Sequence, residues 1–256
     1  MKLKNKIAII TGGGTGLGKA MALEFANAGA DVVVCSRNKG NIEKARDEII
    51  ALGRRSLAIV TDVCVKEQVD NMVEKVIDEF SRIDILVNNA GISRNIPILD
   101  LAEDIWDMIL DTNLKGVFLC TQAVAKYMVK QKYGKIINIS STAGLGAIQL
   151  GRAAYATSKF GVIGLTKASA REFGPHGINV NTIAPGRILT DIVYDLMRPE
   201  QVKQWIEVNE KTCLLGRLGT PEDIAHLALF LASDDASFIN AETIACNGGR
   251  TDLMGH

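Results

Sequence analysis

Aromatic residues are scarce: Phe, Trp and Tyr make up 5% of the 256 residues, against 47% hydrophobic residues in all. An interior short of rings must be filled by Val, Ile, Leu and Ala, the usual content of a parallel sheet buried on both faces. There are only three histidines, and the five cysteines, at 35, 64, 120, 213 and 246, are scattered and form no Cys-x-x-Cys pair. A zinc site has little to build on, so no metal is expected, and the thiols read as reduced residues in or near the core. An excess of charge of one sign is missing too, with 29 basic residues against 29 acidic. Nothing in that balance recruits nucleic acid or an anionic membrane. The apolar run IAII near the N-terminus stops at glycines, and no stretch reaches the roughly 20 apolar residues of a membrane span. These absences lead to the expectation of a soluble, cytoplasmic protein. No Pro/Gly/Ser-rich linker or shift in composition divides the chain, which reads as one domain over 1–256.

What is present is an alternation. Short all-apolar runs, IAII (7–10), DVVVCS (31–36), SLAIVTDV (56–63) and IDILVNNAG (83–91), are separated by helical patterns at 19–30, 41–53 and 66–80. The pattern continues with a long helical region at 102–132, KIINIS (135–140), a helix at 153–173, GINVNTIAPG (177–186), a helix at 221–233 and ETIACNGG (242–249). Strands apolar on both faces, alternating with helices, predict an α/β fold with a doubly wound parallel sheet covered on both sides. The least regular portion, about 187–218, suits a substrate lid of loop and short helices.

TGGGTGLG (11–18) follows the first strand and opens the first helix. Glycines there let the backbone approach a pyrophosphate, whose charge meets the free N–H groups of the helix N-terminus. The spacing, Gly12-xxx-Gly16-x-Gly18, is not the simple GxGxxG fingerprint. The second strand ends Cys35-Ser36-Arg37, without the carboxylate that an NAD site commonly places near the ribose hydroxyls. Ser36 and Arg37 offer a hydroxyl and a guanidinium suited to a 2′-phosphate, so NADP(H) is preferred and NAD(H) is the alternative, with Arg37 then only capping the surface.

In AAYATSKFG (153–161), Tyr155 and Lys159 stand four positions apart, one turn apart on the same helix face. With TGGGTGLG, NNAG (88–91), Asn113, ISS (139–141), YATSK (155–159) and PGRILT (185–190) all in order, the sequence resembles the short-chain dehydrogenase/reductase family, in its single-domain branch of about 250 residues, over essentially its whole length.

The resemblance implies a Rossmann-like NAD(P)-binding fold and hydride transfer to or from a carbonyl or secondary alcohol. Gly12, Gly16 and Gly18, with Thr15 and Leu17 between them, match the phosphate loop. Asp62 and Val63 match the adenine contact, Asn89, Ala90 and Gly91 (with Asn88) the end of the fourth strand, and Pro185, Gly186, Ile188 and Thr190 the segment beside the nicotinamide. Asn113, Ser141, Tyr155 and Lys159 match the catalytic group; in the family the asparagine carbonyl holds a water that links the lysine to solvent. There is one departure: the serine usually precedes the tyrosine by about 13 residues, whereas Ser141 precedes Tyr155 by 14 and Thr142 stands at the usual distance. Either a residue is inserted in the loop or the threonine takes the serine's part, and the IINISS match favours Ser141. A phenol is a poor base at neutral pH, and an ammonium one turn away favours phenolate, so Tyr155 is expected to move the proton with Lys159 lowering its pKa.

Gln149, Arg152 and Arg187, with Ser141 and Tyr155, are candidates for contacting substrate, and Arg94 offers a further polar reader. In the lid, Ile188, Leu189, Ile192, Val193, Tyr194, Leu196, Met197 and Trp205 either cover a hydrophobic ligand or dock the lid on the body. The overall pattern resembles 3-oxoacyl thioester reductases, whose acidic carrier protein would want basic residues such as Lys130, Lys132 and Arg171; sugar, polyol or other secondary-alcohol dehydrogenases share it. A non-catalytic nucleotide-binding sensor or scaffold is the alternative of another class. The resemblance also implies a homotetramer built on the helices after the fourth and fifth strands and on the C-terminal strand.

Overall fold

The computed structural model describes residues 1–146, 149–190 and 199–250. Seven strands, β1 (Ile7–Thr11), β2 (Asp31–Ser36), β3 (Ser56–Val60), β4 (Ile85–Asn88), β5 (Gly134–Ile139), β6 (Ile178–Pro185) and β7 (Thr243–Cys246), form one sheet in the order β3-β2-β1-β4-β5-β6-β7. Every pairing is parallel. Among the described residues the α-helices are α1 (Gly16–Asn27), α2 (Lys39–Ala51), α3 (Lys66–Phe80), α4 (Glu103–Leu110), α5 (Gly116–Gln131), α6 (Ala153–Phe173), α7 (Pro199–Glu210) and α8 (Pro221–Ala232).

The all-apolar strands have a direct cause. In β1, Ala8 and Ile10 pack with α1, α2 and α8, while Ile7 and Ile9 pack with α3 and α5. Residues that alternate across a pleat therefore enter two separate cores, and neither face has room for a polar residue. This is the doubly wound arrangement expected from the alternation of elements.

Near the C-terminal ends of the strands the sheet changes character. Asn88 pairs in register with Asn138, and Asn138 with Thr182. Asn88 Nδ2 donates to Thr121 Oγ1 (3.0 Å) and Asn138 Oδ1 (2.8 Å), Asn138 Nδ2 donates to Thr166 Oγ1 (2.8 Å), and the hydroxyls of Thr166 and Thr182 are 2.7 Å apart. All these groups are buried. Their bonds to one another offset the cost of removing them from water, and they fasten α5 and α6 to the sheet directly below the strand ends.

One region differs from the sequence-based expectation. The helical region expected at 102–132 is interrupted by a π-turn, Asp111–Lys115, between α4 and α5. The irregular stretch at 187–218 contains a regular helix, α7, of 12 residues. Ile192, Val193, Tyr194, Leu196 and Met197 lie outside the described residues, as does the tail beyond Arg250. Among the described residues no helix is long and apolar enough to cross a membrane.

Candidate active site

The chain leaves β1 toward β2 and β3, then returns to β4 on the other side of β1. The crevice at such a reversal, outside the strand C-termini, is where open α/β sheets bind ligands. Here the glycine loop lines it. Gly12 and Gly16 have φ of +64° and +51°, values that a side chain would strain. A Cβ on Gly18 would lie 2.1 Å from the Gly12 carbonyl oxygen. Behind the loop, Asn89 Nδ2 donates to the carbonyls of Thr11 (3.0 Å) and Gly12 (3.3 Å), and Thr11 Oγ1 accepts from the backbone N–H groups of Asn89 and Ala90, both at 3.0 Å. The end of β4 thus holds the loop that follows β1.

In front of the loop is a cavity of about 500 Å³. Of the residues expected to hold a cofactor, Gly12, Thr15, Ser36, Arg37, Asp62, Val63, Ala90 and Gly91 line it, together with Gly14, Asn38, Asn41, Thr61, Ile92 and Thr112. Gly16, Leu17, Gly18 and Asn89 shape the loop from outside the cavity wall, Leu17 by packing against the core. The turn after β2 is prefolded: Ser36 Oγ accepts from Asn38 N at 3.2 Å, and Asn38 Oδ1 caps α2 by accepting from Asn41 N at 3.1 Å. Asp62 accepts from Cys64 N at 3.0 Å. These walls fit a dinucleotide. Backbone rather than side chain faces the ligand at the loop, no side chain caps the N-terminus of α1, and Asp62 is the only carboxylate among the described lining residues.

The far end of this cavity meets the catalytic candidates. A Cβ on Gly91 would stand 3.2 Å from Asn113 Oδ1 and 3.6 Å from Lys159 Nζ. Asn113 sits in the π-turn, fully buried. Its Oδ1 accepts from Ile92 N (2.8 Å), and its Nδ2 donates to the Ile92 carbonyl (2.9 Å) and to Ser158 Oγ (3.1 Å). The asparagine side chain therefore joins the segment after β4 to α6, and the widened helical turn, a feature frequent at functional sites, places it there.

Lys159 is 5% exposed, its Nζ 2.8 Å from the Ile139 carbonyl at the end of β5. Burial pushes its pKa down from 10.5 to about 8. Its Nζ lies 5.7 Å from the centre of the Tyr155 ring. The phenol pKa is raised, because burial outweighs the hydrogen bond from Ser141 and the positive charge of Arg152, both of which lower it. Arg152 also faces the ring, 5.4 Å from its centre, and the Lys159 ammonium is engaged by the Ile139 carbonyl.

Of the two candidate hydroxyls, Ser141 is the one that acts to lower the pKa of the phenol; it also caps the following turn by accepting from Ala143 N at 3.2 Å. Thr142 Oγ1 is turned to Arg250, accepting from Nη1 at 2.9 Å. A second cavity, of about 210 Å³, opens beside Ser141 and Tyr155, and Gln149, Arg152, Gly186, Arg187, Ile188 and Trp205 line it with Arg250. Gln149, with its amide oxygen toward the guanidinium, accepts from Arg187 Nη1 at 3.1 Å. Pro185 ends β6, and Gly186 N bonds the Cys246 carbonyl at 2.9 Å, which fixes the start of this wall. Thr190 lines neither of these two cavities, nor does Arg94, which is exposed and donates to the Ser93 carbonyl. Arg250 escaped the sequence reading. It follows the last strand in a tail without pattern, and only an antiparallel bridge with Cys213 brings it to the site. No group of three or more metal-ligating side chains occurs among the described residues.

The model of the short chain dehydrogenase family matches residues 6–201. The chain is 44% identical over 255 residues, covering 100% of both chains, to the (2S)-[(R)-hydroxy(phenyl)methyl]succinyl-CoA dehydrogenase subunit BbsD of Thauera aromatica. It is 41% identical over 249 residues to the 3-oxoacyl-[acyl-carrier-protein] reductase FabG of Thermotoga maritima, covering 97% of this chain and 99% of that one. Among solved structures, a short-chain type dehydrogenase/reductase from Mycobacterium marinum superposes with a TM-score of 0.89 at 39% identity, over 98% of this chain and 97% of that one.

Proposed function

The chain belongs to the short-chain dehydrogenase/reductase family of NAD(P)-dependent oxidoreductases, and from that premise we propose that it interconverts 3-oxoacyl and 3-hydroxyacyl thioesters, with NADP(H) as the preferred cofactor. The observation that carries the reading is the position of Tyr155 and Lys159. Lys159 stands beside Gly91 on the wall of the cavity at the glycine loop, and Tyr155 lines the smaller cavity with Ser141. The thioester is supported by the two relatives, named for acyl groups on coenzyme A and on acyl carrier protein. NADP(H) is supported by Ser36 and Arg37 at the end of β2, where the wall has no carboxylate.

In this reading Gly12, Thr15, Gly14 and the first turn of α1 hold the pyrophosphate, and Ser36 and Arg37 hold the adenosine 2′-phosphate. When bound, the nicotinamide supplies or accepts the hydride. The chain's own residues manage the oxygen. Ser141 donates a hydrogen bond to it, and Tyr155 gives it the proton in reduction or takes the proton in oxidation. A phenol with a raised pKa stays protonated at neutral pH, which suits it as the donor. Lys159 holds the nicotinamide ribose, and Asn113 keeps the turn around that lysine in place.

The protein is cytoplasmic and tetrameric in this proposal. The outer faces of α5 and α6 leave Phe118 and Phe160 43% and 47% exposed, beside an apolar groove that includes Val129, Leu165 and Phe173. Faces of this kind mark interaction sites.

Steady-state rates with acetoacetyl-CoA against glucose, gluconate and small cyclic ketones, each with NADPH/NADP and NADH/NAD, test the proposal. Turnover of the thioester with NADPH is expected. Activity confined to a polyol would replace the substrate class, a tenfold preference for NAD(H) would remove the phosphate assignment, and cofactor binding without turnover would favour a nucleotide sensor.

A further inference from the structure

Ser141 stands between two anchored neighbours. Before it, the Ser140 N–H donates to the Ile183 carbonyl and its Oγ to the Lys159 carbonyl, both at 2.8 Å, so β6 and α6 hold that residue. After it, the buried Thr142 accepts from Arg250 Nη1 at 2.9 Å. The turn that Ser141 caps, Thr142–Leu145, is a single 3-10 turn ended by Gly146 with φ of +105°. Few bonds close it: the Ala143 N–H to Ser141 Oγ (3.2 Å), the Gly144 N–H to the Ser141 carbonyl (2.9 Å) and the Gly146 N–H to the Thr142 carbonyl. Hydrogen-bond geometry in such turns is poor, so their orientation is set from outside. The turn rests on α6, where a Cβ on Gly144 would lie 2.7 Å from the Lys159 carbonyl oxygen, and Arg250 is a second, independent hold. Paired backbone carries that arginine to its place. The N–H groups of Leu214 and Leu215 donate to the carbonyls of Gly249 (3.0 Å) and Gly248 (3.1 Å), and Cys213 Sγ lies 3.1 Å from the Asn247 carbonyl. A Cβ on Gly248 would lie 2.7 Å from that sulfur, so the two segments are in close contact.

We propose that Arg250 is a positioning residue: through Thr142 it fixes the turn that aims the Ser141 hydroxyl at the reacting oxygen. A buried guanidinium is costly to desolvate, and hydrogen bonds such as the one to Thr142 offset that cost, so the contact is a strong one. The planar fork also fixes direction, which a flexible ammonium would not. The same bond commits the Thr142 hydroxyl to Arg250 and leaves Ser141 to serve the substrate. The aim at the reacting oxygen rests on the reading of Ser141 proposed above; the hold on the turn does not.

Two measurements on the full chain test it. Amide hydrogen exchange at Ala143 and Gly144, compared with amides of β1, reads the turn. Single-turnover hydride transfer from NADPH to acetoacetyl-CoA reads the reaction, with cofactor Kd measured by fluorescence. Arg250→Met keeps the length of the side chain and removes its donors; Thr142→Val keeps the shape of the threonine and removes the acceptor. In each, exchange at the two amides should quicken roughly tenfold or more relative to β1, the effect of losing one charge-assisted bond. Thr142→Ser keeps the hydroxyl and should stay near the wild type. Hydride transfer in Arg250→Met should fall roughly tenfold with cofactor Kd unchanged. When Ser141→Ala is already present, Arg250→Met should cost nothing more, because an effect that runs through the Ser141 hydroxyl disappears with it. A general loss of packing would not show that dependence. Unchanged relative exchange in both Arg250→Met and Thr142→Val overturns the proposal, and so does an equal loss of rate with and without the Ser141 hydroxyl. Should acetoacetyl-CoA not be turned over, or Ser141→Ala leave hydride transfer intact, the reading of the site fails, and amide exchange alone decides whether Arg250 holds the turn.

Discussion

Tyr155 is subject to opposing influences. Burial holds its proton on, while Ser141 and Arg152 loosen it. Tyr155→Phe keeps the ring and removes only the transferable proton, so cofactor affinity should survive while single-turnover hydride transfer falls by roughly 10²–10⁴. Stopped-flow measurement of reduced-cofactor absorbance, with a parallel fluorescence titration of cofactor binding, checks both halves. Lys159 makes a prediction about stability. Its folded-state pKa of about 8 lies below the ordinary 10.5. Below pH 8 the folded chain therefore carries a buried ammonium that the unfolded chain would solvate, a penalty on the order of 3 kcal/mol. Between pH 8 and 10.5 the unfolded chain binds more protons than the folded one, so the contribution of this group to stability rises with pH and the penalty fades. Lys159→Met should raise Tm at pH 7, lose that advantage near pH 10.5 and abolish turnover, as thermal melts at the two pH values with a rate assay would show.

At the scale of elements, the joints matter more than the rods. The sequence periodicity showed the helical region on either side of Asn113 but not the π-turn within it, because one extra residue in a turn barely disturbs an apolar pattern. The oddity of an asparagine inside a helix was the visible trace of that turn. Asn138 is a second such joint, linking β4, β5 and α6 one residue before the carbonyl that holds Lys159. Asn138→Ala removes one partner each from the buried amide of Asn88, which keeps Thr121, and the hydroxyl of Thr166, which keeps Val162 and Thr182, and is expected to cost about 1–3 kcal/mol. Urea denaturation should show a lower midpoint with an unchanged slope. A loss below 0.5 kcal/mol would mean that water replaces the missing amide.

At the scale of the molecule, much is legible in the sequence, and for a physical reason. A sheet buried on both faces writes its strands as unbroken apolar runs, and a phosphate loop writes its backbone demands as glycines, both local signals. Arg250 left no such signal. Its approach to Thr142 depends on how the chain after β7 folds back against Cys213, a contact between distant segments. Arg152 was equally hidden: the one-turn spacing of Tyr155 and Lys159 pointed to the lysine, 5.7 Å from the ring centre, and the fold adds Arg152 at 5.4 Å. The outer faces of α5 and α6 predict association. Sedimentation at micromolar concentration should give near four times the chain mass, and Phe118→Glu should shift the equilibrium toward smaller species. A wild-type protein that sediments as a monomer would remove the interface.

The strand order also carries a history. As the chain is synthesised, β1, β2 and β3 emerge first and can pair with one another, but the second edge of β1 stays open until β4 arrives. The crevice does not exist before that event, because one of its walls is the segment after β4 and another is the loop that Asn89 ties down. A nucleotide therefore cannot recruit the early half of the sheet to its fold; it can only retain what has already closed, slowing escape from the native state without hastening arrival there. Until then the growing chain carries an unpaired, apolar strand edge, the kind of surface through which one nascent molecule captures another.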